Sequence, residues 1–114
     1  VFWSLGNLIS RQMEAPRTVG GLAGLTVEKI GDVCAITSCS IQPTVMHKTS
    51  RSDTGMRVYR LADYSDELAG GNSVETTEDF PSFTVAGCHD FASKVLGASY
   101  DRASSSLLLE VNPL

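Results

Sequence analysis

Two histidines, three cysteines and two groups of carboxylates are the side chains through which this 114-residue sequence could do chemistry. A catalytic site would need a Ser, Cys or Thr beside a base, or a matched pair of acids. A metal centre would need several His, Cys, Asp or Glu side chains converging on one point. His47 and His89 stand far apart, and only Cys88-His89-Asp90 sets ligand types side by side. Neighbouring residues on a strand or helix point apart, so that triplet does not converge on an ion. We read His89 as helix entry or surface, and His47, which opens the polar run HKTSRSDTG, as solvated.

The other reactive types give the same answer. Cys34 and Cys39 lie five apart on an expected strand, which directs them to opposite faces and prevents a bridge within it. Cys88 is left over, there is no CxxC spacing, and buried free thiols are the expectation for all three. Ser4, in WSLGN, is the nearest candidate nucleophile, but no G-x-S-x-G elbow surrounds it and a structural turn is expected there. The glycines of VGGLAGL are not followed by Lys-Ser/Thr, and the next residues read as a strand, so they do not form a phosphate cradle. Asp63, Asp66 and Glu67 read as the first turn of a helix, and Glu75, Glu78 and Asp79 as a solvated loop.

The elements that would position these residues are mostly strands. Residues 1–9 read as a buried strand running into a turn, and 10–18 as a polar loop. Residues 22–30 and 33–41 flank Gly31-Asp32, a two-residue loop suited to a type II′ hairpin. In that register Val27 faces Ile36, Leu25 faces Ser38, Thr26 faces Thr37 and Glu28 faces Ala35, which leaves one face more apolar and covering something. Pro43 is expected to end or edge the second strand. A short strand at 56–61 follows, then a brief helix in ADYSDELAGG with Asp63 as N-cap, then a loop or linker at 72–79. The last third reads as a strand at 83–86, a helix at 89–96 capped by Asp90 and ended by Gly97, and a strand at 104–111. Strands first and small helices later favour an α+β fold.

Residues 1–12, VFWSLGNLISRQ, are similar to the (F/Y)-x-SLGN-(F/L)-(I/L) signature of the poly-gamma-glutamate capsule synthesis proteins, the CapA-type branch of the calcineurin-like metallophosphoesterases. Ser4, Leu5, Gly6 and Asn7 match it directly. The family pattern continues with a glycine-introduced strand, a second strand ending in P-T-W-V, and a Y-R-V-x-P-L strand before a short helix. Residues 21–30, then 41–48 with Pro43-Thr44-Val45-Met46, then 57–64 with Arg57-Val58-Tyr59-Arg60-Leu61, resemble these in order. The resemblance covers residues 1–70, and 71–114 form a variable α/β tail.

The resemblance implies the C-terminal piece of a calcineurin-like two-sheet β-sandwich with flanking helices. It also implies a parent in the cell envelope that handles an anionic polymer at a dinuclear divalent metal centre. The family's Gly-His-x-His ligands lie upstream of the SLGN strand, and no such element occurs in this sequence. This chain is therefore expected to supply scaffold and site wall, with no metal ligand and no complete active site. Ser4 and Asn7 are carried over as hydrogen-bond partners that orient ligands or substrate, and a plain turn at Gly6-Asn7 is the competing expectation.

Composition narrows the alternatives. The formal charge of −4, with no Lys/Arg cluster, gives no electrostatic footprint for a phosphate backbone, so nucleic acid is not an expected partner. The opening apolar run is about half the ~20 residues a membrane-spanning helix needs, and the piece is expected to be soluble. Starting at Val1 inside an apolar run, the chain reads as part of a larger domain. Two roles follow: a scaffold piece of a metal-dependent capsule enzyme, or a non-catalytic module that pairs its strands with the rest of its domain or a complementary chain. Exposed sheet edges add homo-oligomerisation by strand exchange to the expected partners.

Overall fold

A computed structural model of the chain describes residues 13–49 and 55–109. The strand and turn expected at 1–9, and with them Ser4 and Asn7, lie outside the described residues. Gly31 adopts φ 63° while Asp32 keeps a negative φ, the combination a type II′ loop requires. The loop joins β1 (Val19–Ile30) to β2 (Val33–His47) as an antiparallel hairpin longer than the sequence pattern suggested.

Val27 does face Ile36 and Glu28 does face Ala35, but Leu25 faces Cys39 and Thr26 faces Ser38. Thr37 is the extra residue, a β-bulge that alternation along one strand could not reveal. The bulge matters because side chains have a period of two. Ile36 and Ile41 are five apart and would otherwise point to opposite faces; the extra residue brings both to the face of Val27, Leu25 and Ala23. By the same shift Cys34, opposite Lys29, and Cys39, opposite Leu25, share that face, contrary to expectation. They are still roughly four strand residues, or ~13 Å, apart, too far for a disulfide.

The other edge of β2 carries β3 (Arg57–Arg60) against Thr44 to His47, and β4 (Leu107–Leu109) against Cys39 to Ile41. Pro43 does not end the strand. It falls with Gln42 in the gap between β4 and β3, where the missing N–H removes no ladder hydrogen bond on that edge. The result is a mixed α/β fold built on one antiparallel sheet of four strands among the described residues.

Short helices close the inner end of the sheet. Leu61–Asp63 form a 3₁₀ turn, so Asp63 does not cap the helix; Ser65 does, its Oγ accepting from the Leu68 N–H at 3.2 Å. Helix α1 (Asp66–Gly70) has Asp66 and Glu67 in its first turn and stops at Gly71. Helix α2 (Val85–Leu96) begins four residues before the expected start, where a strand had been read. Thr84 sets that start, because its Oγ1 accepts from the Gly87 N–H at 2.9 Å. Gly97, at φ 84°, ends the helix as expected. Ser104 to Ser106 are turn and bridge residues, which shortens the last strand to β4.

Val45, Leu61, Tyr64, Ala69, Phe80 and Cys88 make one buried cluster with Ala15. Residues 72–79 are tied into it: Val74 packs on the cluster, and Glu75 forms a parallel bridge with Glu14. No helix among the described residues is long and apolar enough to cross a membrane.

Two glycines test the packing with opposite signs. A Cβ on Gly87 would collide with the Ser82 carbonyl oxygen, whereas one on Gly70 meets nothing. Gly87→Ala is expected to destabilise by roughly 1–3 kcal/mol despite its gain in helix propensity, and Gly70→Ala to stabilise by about 0.4–1 kcal/mol, read as Tm shifts of opposite direction.

Candidate functional site

At the inner end of the sheet β2 delivers His47 next to β3 and the 3₁₀ turn, and the histidine is 6% exposed instead of solvated. Its Nδ1 lies 2.8 Å from the Tyr64 hydroxyl, which also receives the Asn72 side-chain N–H at 3.0 Å. Asn72 spans the strand end: its amide donates to the Met46 carbonyl at 3.1 Å and its Oδ1 accepts from the Lys48 N–H at 3.3 Å. Tyr59 completes the group edge-on to His47, with ring centroids 5.9 Å apart. A neutral imidazole satisfies this network, with Asn72 donating to Tyr64 and Tyr64 donating to His47.

Burial sets the electrostatics. Burial, then the Arg57 charge, lowers the His47 pKa, and burial raises the Tyr64 phenol to about 12 against a smaller opposing effect of the Asn72 hydrogen bond. Both groups are thereby held neutral at pH 7. The second histidine repeats the arrangement on α2: His89 Nδ1 lies 2.8 Å from the Tyr100 hydroxyl, with its pKa lowered by burial and Arg102 against Asp90. Asp90 itself is paired with Arg102 at 2.7 Å and caps nothing.

These clusters are poorly placed for catalysis. Burial, helped by Asp66, pushes the Cys88 thiol up to about 12, so it carries no thiolate with which to attack. Each histidine Nδ1 is spent on a tyrosine hydroxyl. Asp66 accepts the Val85 N–H at 2.9 Å, tying α1 to the start of α2. The dinuclear metal centre implied by the resemblance finds no ligand set here: among the described residues no three His, Cys, Asp or Glu side chains converge.

The unusual surface is the outer half of the hairpin. The apolar face that is buried at Val45 and Ile41 continues outward past the core through Leu25, Val27 and Ile36. There it is open: Leu25 and Val27 are each 59% exposed and Ile36 46%. Ile30 and Val33, at the tip on the other face, are 75% and 58% exposed. The hairpin was expected to cover something; among the described residues its outer half covers nothing. Cys34 is exposed and Cys39 half-buried on this arm, so only Cys88 is the buried thiol expected of all three. Sequence alternation located the arm's apolar face, but His47 packs against Tyr59 and Tyr64 from outside its own strand and had no local signal.

No family model, no curated protein and no solved structure matches this chain.

Three outcomes check the site and the arm. Since both histidine pKa values are lowered in the fold from 6.5, their contribution to stability is complete above about pH 6.5 and is lost as pH falls through the folded values. Urea midpoints should drop on acidification through that window. Tyr64→Phe, which strands His47 Nδ1 and an Asn72 N–H, should lower stability by about 1–3 kcal/mol at neutral pH. With a thiol reagent, Cys34 should react fast in the native protein and Cys88 only on unfolding, read by mass spectrometry of the labelled peptides.

Proposed function

We propose that this chain is a non-catalytic binding module whose working surface is the projecting arm of β1 and β2. The apolar face continuing from Val45 and Ile41 out to Leu25, Val27 and Ile36 carries the reading. Beyond Cys39 the arm is, among the described residues, a two-stranded ribbon with both faces exposed. An isolated two-stranded hairpin is marginal in water, and an exposed apolar edge is a template for another strand. A second polypeptide surface laid on the arm removes both liabilities. The two histidines are meanwhile each hydrogen-bonded to a tyrosine hydroxyl.

The resemblance to the CapA-type proteins supplies a second reading: the surface that covers the arm is the rest of a calcineurin-like two-sheet domain in a cell-envelope capsule protein. Its ligand-bearing loops would hold the dinuclear metal and the anionic polymer, with Ser4 and Asn7 near them. The order of hairpin, short strand Arg57–Arg60 and short helix supports it, since the family pattern runs the same way. A coding sequence upstream of Val1 that contains a Gly-His-x-His element favours this reading; a gene start near Val1 removes it.

Hydrogen exchange tests the binding reading. In protein purified from its native source, amides of residues 25–38 should exchange more slowly than in the dilute isolated chain, because a partner holds the arm. Equal, fast exchange in both would sink it.

A further inference from the structure

Resting on that reading, we infer that the arm's partner is a second copy of this chain, joined edge to edge through β1. The outer edge of β1 has no strand partner among the described residues, because β3 and β4 both lie on the far side of β2. β1 holds no proline, and its only charges, Glu28 and Lys29, are adjacent near the tip, so the usual edge defences are thin.

The sequence of β1 is complementary to itself when reversed. Its inner half, Val-Gly-Gly-Leu-Ala-Gly, is mostly small, and its outer half, Leu-Thr-Val-Glu-Lys-Ile, is mostly large. An antiparallel pairing of two copies sets small against large. With a two-fold axis through Leu25, Leu25 faces its own mate, Ala23 faces Val27, Gly21 faces Lys29, and Gly20 faces Ile30. Glu28 then lies opposite Leu22, so no like charges are directly opposed; a register centred on Glu28 or Lys29 would oppose them and shorten the overlap. A two-fold perpendicular to the sheet also keeps both apolar faces on one side, giving a continuous four-stranded surface of β2, β1 and their mates.

Size sets the expected strength. Twelve residues span ~40 Å. Across a sheet ~10 Å thick such an edge presents roughly 400 Å² per copy, about 800 Å² in all, at the weak end of specific interfaces. The dimer is therefore expected to be weak and reversible.

Leu25 is the position to test, since it is exposed and sits on the axis. Sedimentation across concentration should show the wild-type chain associating. Leu25→Lys and Leu25→Glu should each dissociate at least about tenfold more readily, because like charges then face each other. Mixing the two variants should restore association, since the axis places Lys opposite Glu, and circular dichroism should show each variant folded. A wild-type chain that stays monomeric, variants that associate like wild type, or a mixture that gains nothing would each overturn the self-pairing. If the isolated chain is monomeric while the arm is protected in source-purified protein, the second copy is ruled out and the binding reading stands. If the arm is unprotected in both, neither survives.

Discussion

β2 pairs with every other strand of the sheet, and its fifteen residues change environment along their length. At Thr44 and Val45 it is paired on both edges and buried; from Val33 to Ser38 it pairs, among the described residues, with β1 alone and is mostly open to solvent. One continuous ladder thus connects a packed core to an unsupported ribbon. The pairing with β1 runs along its whole length apart from the Thr37 bulge, while burial falls away toward the tip, and burial supplies most of the stabilisation. The buried inner end therefore anchors the exposed outer end, and whatever fixes His47 and its neighbours also fixes the direction in which the arm leaves the core.

Asn72 provides much of that fixing. By bonding to the backbone on both sides of His47 it acts as a short stretch of additional strand where β2 ends, and Ser73 continues it by donating its N–H to the Lys48 carbonyl at 2.8 Å. The Tyr64 hydroxyl draws the 3₁₀ turn and α1 into the same network. Neutral hydrogen bonds contribute modestly one by one, yet leaving such groups unpaired in the interior is expensive, so the network specifies one arrangement more than it adds net stability.

What the sequence disclosed follows the range over which each feature is determined. The type II′ loop was legible because Gly31-Asp32 carries its own signal, and so was the end of α2 at Gly97. The start of α2 was not: Phe83, Thr84 and Val85 are good strand formers, and the Thr84 cap lacks the Glu three residues on that would mark a capping box, having Gly87 there. The Thr37 bulge was hidden because it answers to the partner strand, needing Ile36, Cys39 and Ile41 on one face. His47 read as solvated because its neighbours in sequence are polar, while its neighbours in space come from 59, 64 and 72. Of the candidate site, the apolar arm was anticipated through Val27 and Ile36, whereas Ser4 and Asn7 fall outside the described residues.

The histidines, Tyr64, Tyr100 and Cys88 are not arranged as catalysis would use them. An enzyme keeps titratable groups at a cleft with pKa values near the working pH, and surrounds them with apolar walls. Here His47, His89, Tyr64, Tyr100 and Cys88 are turned inward, paired or buried, and burial shifts each away from its charged form. Large apolar side chains stand on the outside, along a strand edge that has no partner among the described residues. Recognition by main-chain pairing needs no titratable group; it needs an accessible edge, side chains of matching size and a rigid root. β1 supplies the edge and the graded side chains, and the His47–Tyr64–Asn72 network at the end of β2 supplies the root.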